Sequence, residues 1–128
     1  GGEIASKSTT VTVSTNNEKG YKLEMTDSDT NTNMVQIDAN GDPLNGGASI
    51  PTGDLTATTS GWGYSVDNGI TFKAVPELGG TPAEIASSTA AVTDEATTVT
   101  FGVKAASGQA EGNYKGTVVF TATANPGA

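Results

Sequence analysis

The sequence predicts an all-β protein that folds as an antiparallel β-sandwich of about seven or more strands. Apolar and polar side chains alternate with a period of two in several stretches of the 128-residue chain, as in strands with one buried face. Clusters of Gly, Asn, Asp and Pro separate these stretches at intervals of about 8–12 residues. Helices are disfavoured because 17 glycines and 21 threonines recur along the whole chain.

The first part of the chain contains four candidate strands. Residues 9–15 and 21–27 each alternate apolar and polar side chains. A shorter strand is predicted over residues 34–37, followed by a Gly/Asn/Asp/Pro-rich loop over residues 38–47. Residues 50–59 are expected to form an edge or irregular strand, because a proline and a glycine interrupt them.

A β-hairpin is predicted over residues 62–75, and the hydrophobic pattern selects its register. A two-residue turn at Asn68 and Gly69 would mix polar and apolar residues on both faces. A three-residue turn at residues 67–69, with Gly69 in the left-handed conformation, collects the large apolar side chains on one face. The predicted cross-strand pairs are Val66 with Ile70, Tyr64 with Phe72 and Trp62 with Ala74.

Two further strands are predicted after the hairpin, over residues 97–103 and 114–123. The intervening residues 82–91 lack strong helix breakers and are expected to form one short helical turn at most. Tyr114 follows a Gly-Asn pair and is a candidate corner tyrosine, whose phenol bonds back to the backbone of a turn. The alternative is that this side chain only packs in the hydrophobic core.

These strands are expected to form one domain, residues 1–128, with flexible ends at residues 1–8 and 124–128. Their lengths and turn spacing are typical of an immunoglobulin-like sandwich. The inward faces of two sheets are expected to supply the core. Its predicted members are Val11, Val13, Tyr21, Leu23, Met25, Trp62, Tyr64, Phe72, Val99, Phe101, Val118 and Phe120.

The composition excludes several classes of function. The chain has no histidine and no cysteine, so it lacks imidazole metal ligands, thiol nucleophiles and the catalytic triads that use either group. Fourteen acidic residues against six lysines give a net charge of −8, which repels nucleic acid. No apolar stretch approaches the length of a membrane span. We therefore expect a non-catalytic protein with no nucleic-acid partner and no membrane insertion.

Five stretches of turn and strand residues form a recognisable set: TNNEKGYKL (residues 15–23), DSDTNTNMV (27–35), WGYSVD (62–67), VTFGVK (99–104) and GNYKGTVVFTATAN (112–125). Together they resemble a family of secreted or wall-associated surface proteins of Gram-positive-type and reduced-genome bacteria. The resemblance implies an extracellular β-sandwich at the cell surface or cell wall, used singly or in series as part of an adhesin, stalk or pilus-like assembly. Other subunits or domains of such proteins are then the expected partners.

The stretch DSDTNTN places oxygen-bearing side chains at alternate positions, as a calcium-binding loop does. Asp27, Asp29 and Asp38 are the candidate ligands, with Asp42 as a further candidate. Thr32 stands where a helix–loop–helix calcium loop needs glycine, so only a non-helical calcium site fits. An Asx-rich turn with no cofactor is the favoured alternative.

Trp62 and Tyr64, together with Phe72, are candidates for an aromatic platform that stacks on the sugar rings of host or cell-wall glycans. The alternative places these rings in the core. A chain with one tryptophan and 5% aromatic residues needs them there, because each buries about 150–250 Å². Carbohydrate binding, with or without calcium, is therefore the alternative to a structural or adhesive function.

A lysine–asparagine isopeptide bond is a candidate cross-link, since it staples some pilus sandwiches that lack cysteine. Such a bond needs a lysine buried beside an asparagine and a carboxylic acid. The alternation places Lys22, Lys104 and Lys115 on polar faces, so Lys7 and Lys73 are the candidates that the pattern constrains least.

Residues 1–15 form a polar leader followed by a strand. This segment can pair with a sheet edge of a neighbouring subunit, as in filaments that assemble by strand donation. Pairing within its own chain is the favoured alternative.

Overall fold

The computed structural model describes residues 4–55, 61–105, 108–110 and 112–126. No helix occurs in these ranges, and the predicted all-β class is confirmed. Nine strands are placed within them: β1 (Ala5–Thr15), β2 (Tyr21–Asp27), β3 (Met34–Ile37), β4 (Ser49–Ile50), β5 (Gly61–Ser65), β6 (Ala83–Ser88), β7 (Val92–Lys104), β8 (Asn113–Lys115) and β9 (Val118–Ala124).

The strands form three sheets of three strands, with the orders β1-β7-β5, β6-β2-β9 and β4-β3-β8. Every pair of neighbouring strands in these sheets is antiparallel. Only Gly116 and Thr117 separate β8 from β9, so the chain passes from the third sheet to the second within two residues. The first two sheets contribute to one hydrophobic core, which is the arrangement of a β-sandwich. Its immunoglobulin-like type stays a prediction.

The ladder between β1 and β7 runs along the whole first sheet. Its paired residues extend from Ala5 opposite Val103 to Val13 opposite Glu95, and pairing resumes after a bulge at Thr15. β1 therefore begins four residues before the predicted strand at residues 9–15. Residues 5–8, expected as part of a flexible end, lie in β1 because their backbone pairs with β7, although their side chains show no apolar alternation.

The core lies between the first and second sheets. Tyr21, Leu23 and Met25 project from one face of β2 and are almost completely buried, as their alternation predicts. Every predicted core residue except Phe72 belongs to this cluster or packs against it. The cluster also contains three residues that the alternation did not single out, Ile50, Val75 and Ile85.

The predicted register of the hairpin at residues 62–75 is wrong by one residue, and the observed register is the one that the rejected two-residue turn at Asn68 and Gly69 would give. Tyr64 pairs with Lys73 instead of Phe72, with backbone hydrogen bonds of 2.9 and 2.8 Å in the two directions. Because side chains alternate along a strand, this shift sends Phe72 to the face opposite Tyr64. Val66 and Ile70, predicted to face each other in the core, are 50% and 80% exposed.

The Asp67 carboxylate holds the wider loop that replaces the predicted three-residue turn. It accepts hydrogen bonds from the hydroxyls of Ser65 (2.5 Å) and Thr71 (2.6 Å) and from the Thr71 backbone N–H (3.0 Å). These donors lower the pKa of Asp67 below its ordinary value. Asn68 and Gly69 both have positive φ, so the chain reverses inside this network.

Phe72 covers the outer face of the first sheet. An added Cβ on Gly102 would lie 2.6 Å from Phe72 Cε1, so only glycine allows this close approach. Thr100 and Gly102, on this outer face of β7, are consequently buried.

Residues 82–91, for which the sequence allows one short helical turn at most, contain no helix and instead hold a strand that the sequence did not predict. Residues 83–88 form β6, which pairs with β2 and buries Ile85 in the core. Helix propensity is a weak preference, and the exposed edge of β2 provides backbone partners that outweigh it.

Two other strand predictions need correction. Of the predicted strand at residues 50–59, only Ser49–Ile50 forms a named strand, with isolated bridges at Thr52 and Leu55. Residues 56–60 lie outside the described residues. The predicted strand at residues 114–123 is divided into β8 and β9 at Gly116 and Thr117, where the chain leaves one sheet for the other.

Tyr114 makes the hydrogen bond predicted for a corner tyrosine. Its hydroxyl donates to the carbonyl of Ala110 at 2.7 Å and accepts a bond from Gln109 Nε2 at 2.9 Å. The phenol thereby ties the start of β8 to the turn before it, and this prediction is confirmed.

A partly buried polar link joins the two sheets. The Tyr21 hydroxyl, on β2, donates a hydrogen bond to Glu95 Oε1, on β7. This bond and burial raise the pKa of Tyr21. Because Tyr21 is almost completely buried, water cannot readily replace a lost partner.

The substitution Tyr21→Phe is expected to lower the free energy of unfolding by about 1–2 kcal/mol, because it removes a hydrogen bond to a charged group. Glu95→Gln is the matched control, since it keeps the acceptor oxygen and should cost less. Urea denaturation of both variants at pH 7 measures the difference. Equal stability of Tyr21→Phe and the natural protein would contradict the role of this link.

Candidate functional site

Asp27 is the last inward-facing residue of β2 and is only 3% exposed. Its Oδ1 accepts a hydrogen bond from the Asp29 N–H at 3.1 Å, and its own N–H donates to the Pro76 carbonyl at 2.7 Å. Burial raises the pKa of Asp27 above its ordinary value of 3.8, and the charge of Asp29 raises it further. The structure thus holds a carboxylate in a place that favours its neutral form.

The residues that follow Asp27 form successive Asx turns. Asp29 Oδ1 accepts hydrogen bonds from the backbone N–H groups of Thr30 (2.6 Å) and Asn31 (3.3 Å). Asn31 Oδ1 in turn accepts one from the Asn33 N–H at 3.1 Å. The predicted Asx-rich turn is therefore confirmed, and the local backbone already occupies several of the side-chain oxygens.

A cavity of about 320 Å³ lies beside these turns, with Asp27, Asp29, Asn31 and Asn33 on one side and Lys115 on the other. Asp38 does not line it. That residue caps a separate turn, where its Oδ1 accepts bonds from the N–H groups of two later residues, Asn40 (2.8 Å) and Asp42 (3.1 Å). The structure brings together two of the three predicted calcium ligands. No group of three or more acidic side chains that could hold a metal ion occurs in the described part of the chain.

Trp62 and Tyr64 lie in the core between the sheets, with 3% and 8% of their surfaces exposed. Trp62 Nε1 donates a hydrogen bond to the Thr32 carbonyl at 2.8 Å, which fixes the indole ring. The core role predicted as the alternative to a sugar platform is confirmed for both residues. Phe72 is buried too, but on the opposite face of the sheet, so the three rings do not form one surface.

The burial of the lysines differs from what an isopeptide cross-link at Lys7 or Lys73 requires. Lys7 and Lys73, the two candidates, are exposed. Lys104, expected on a polar face, is buried with 7% of its surface exposed. The predicted geometry of an isopeptide bond therefore occurs at neither Lys7 nor Lys73, because both amines are in contact with water.

A second cavity, of about 340 Å³, opens between the first sheet and the start of β9. Its walls are mostly apolar, and Lys7 is the charged side chain that lines it. Periodicity could not reveal this groove, because its walls come from distant parts of the chain. The signal present in the sequence is Lys7 itself, which occupies a position of β1 that faces the other sheet.

Both described ends of the chain are paired within the same molecule. β1 pairs with β7 from Ala5 onward, as the favoured alternative to strand donation predicts. At the other end, Asn125 accepts a hydrogen bond from Asn17 Nδ2 at 2.9 Å, and its own side-chain amide donates to the carbonyls of Lys19 (2.8 Å) and Ser88 (3.0 Å). Ala124, expected in a flexible end, pairs with Tyr21.

Comparisons of the chain with protein-family models, curated proteins and solved structures find no match in any of the three. A search of the described residues for a helix long and apolar enough to cross a membrane finds none. Function is therefore inferred from the geometry and chemistry of this molecule.

The substitution Asp27→Asn is expected to stabilise the calcium-free protein at pH 7. A raised pKa means that the stabilising protonated form is fully present below pH 3.8 and is lost as the pH rises through the folded-state pKa. Asparagine stays neutral at every pH and keeps the acceptor for the Asp29 N–H. Thermal denaturation should show a higher midpoint than the natural protein at pH 7, and a smaller difference near pH 3.

Asp38→Asn is the matched control, because it removes a charge from a similar turn at a less buried place. A lower midpoint for Asp27→Asn at pH 7 without calcium would contradict the assignment of a costly buried carboxylate. Repeating the series with added calcium tests the predicted ligand role, since calcium binding would raise the midpoint of the natural protein and not that of Asp27→Asn.

Proposed function

We propose that this chain is a structural or adhesive module of a bacterial cell surface, with no catalytic role. It acts by holding two attachment points apart and by resisting force between them. Its partners are other subunits or domains of the same surface assembly. One observation carries this proposal: the two ends of the folded chain lie at opposite ends of the sandwich.

The positions of the ends follow from strand pairing. Ala5, at the start of β1, lies opposite Val103, near the end of β7. Asn125 contacts Asn17, which lies just beyond the other end of β1. β1 extends over ten residue steps from Ala5 to Thr15, so at about 3.3 Å per residue its own two ends are about 33 Å apart. Modules with this arrangement can be joined end to end without reversing the direction of the chain.

The same geometry determines how force would act. Cross-strand hydrogen bonds lie perpendicular to antiparallel strands. Force applied at the start of β1 and at the end of β9 is directed along both strands, away from the middle of the module. It loads the β1–β7 and β2–β9 ladders in shear, so many hydrogen bonds resist at once. A module that transmits force gains mechanical strength from this arrangement.

The chemistry of the surface agrees with a passive role outside the cell. Without histidine or cysteine, the chain lacks the side chains most often used for acid–base and thiol catalysis. Exposed threonines, Thr10 and Thr12 on β1 and Thr93 and Thr98 on β7, keep strand propensity while facing water. A net charge of −8 supports solubility.

Antibody labelling of intact cells of the source organism tests the location. An antibody raised against the purified chain should label unpermeabilised cells, and brief external protease treatment should remove the signal. A cytoplasmic protein of the same cells is the control and should be labelled only after permeabilisation. Labelling of this chain only in permeabilised cells would contradict the proposal.

A further inference from the structure

The groove between the first sheet and β9 has the characteristics of a ligand site. We propose that it binds a small amphiphilic anion, a single aliphatic chain that ends in a carboxylate. The aliphatic chain lies between the two layers, and the carboxylate pairs with Lys7 at the rim. This function is separate from load bearing, and neither proposal depends on the other.

The walls of the groove suit an aliphatic chain. Met34, Trp62, Phe101, Val103 and Val118 line it, so four strands contribute apolar atoms. Its volume of about 340 Å³ lies near the lower end of the ~300–1,000 Å³ range of small-molecule sites. Trp62 is held by its hydrogen bond to Thr32, whereas the flexible thioether of Met34 can adapt to a ligand.

Lys7 provides the complementary charge. The pairing of Lys7 with Phe101 places both on the face of the first sheet that is directed at the other layer. Among the described residues no acidic side chain lines the groove, although acidic residues outnumber lysines in the chain by fourteen to six. The structure records no ion pair between Lys7 and another described residue. An anionic head group such as a carboxylate therefore complements this ammonium in an otherwise apolar groove.

Gly116 keeps one end of the groove open. A Cβ at this position would lie 3.2 Å from Met34 Cγ and 3.5 Å from Trp62 Cζ2. The φ of Gly116 is not in the left-handed region, so alanine is conformationally acceptable there. Gly116→Ala therefore narrows the groove without changing its charge.

Lys7 has two alternative roles, each with a different experimental signature. An inward-pointing charge on an edge strand can protect the edge against aggregation, and this role requires no ligand. A second copy of the chain can also cover an apolar groove. The first alternative predicts no saturable binding by the anion, and the second predicts a dimer whose dissociation exposes the groove.

The experiment titrates the full chain with sodium octanoate below its micelle concentration and follows the fluorescence of Trp62, the single tryptophan. Saturable binding is expected, with hexanoate weaker because each buried methylene changes affinity by about fourfold. Octyltrimethylammonium, which carries the opposite charge, should bind more weakly than octanoate. Lys7→Gln should weaken octanoate binding by about three- to fivefold, as for a partly exposed ion pair, and leave octyl glucoside binding unchanged.

Lys22→Gln is the matched control, because Lys22 is an exposed strand lysine outside the groove and its loss changes the net charge equally. It should bind octanoate like the natural protein, whereas Gly116→Ala should bind more weakly. Circular dichroism of each variant confirms that the fold is retained. Lack of saturation by octanoate, equal binding of the ammonium amphiphile or an unchanged affinity in Lys7→Gln would overturn the proposal. So would a stable dimer in light scattering that octanoate does not dissociate.

Discussion

The antiparallel ladder between β1 and β7 is the interaction on which the rest of the structure depends. β7 is the central strand of the first sheet, with β1 on one side and β5 on the other. Its register with β5 places Trp62 and Tyr64 towards the core, and its register with β1 places Val11 and Val13 there. The ladder also separates the two ends of the chain. Core, groove and proposed mechanical role therefore share one set of backbone hydrogen bonds.

This dependence is a consequence of the composition. Only 34% of the residues are hydrophobic, so apolar burial is concentrated in few side chains. Polar contacts supplement it where the apolar pattern stops, as in the link from Tyr21 to Glu95 and the network around Asp67. Glycine has a complementary role, because Gly102 permits Phe72 to cover the sheet from outside. Backbone pairing thus organises a chain that has a small core.

The sequence predicts most of the strands in which apolar and polar side chains alternate, because one face of such a strand is buried and the other faces water. β2 occurs with the predicted bounds for this reason, since its apolar positions leave one register that buries them. β3 also has the predicted bounds, but its four residues are all half-buried, so alternation does not explain it. The hairpin register fails because the hydroxyls of Ser65 and Thr71 bind Asp67, an interaction that apolar periodicity does not include. Hydrophobic periodicity does not predict β6 or the first residues of β1 either. These residues form strands because their backbones pair with strands that are distant in the sequence. The sequence predicts that Asp27 and Asp29 lie close together, and both line the same cavity. It does not predict the groove, because the groove is lined by residues as distant in the sequence as Lys7 and Val118.

Single-molecule pulling tests the load-bearing geometry most directly. The chain has no cysteine, so a handle can be placed at one chosen residue. Pulling between the two chain ends loads the β1–β7 ladder in shear, whereas pulling between the N-terminus and an Ala105→Cys handle separates the ladder pair by pair. We expect a clearly higher unfolding force for the first geometry than for the second. Equal forces, or a higher force for the second geometry, would contradict the load-bearing role of the ladder.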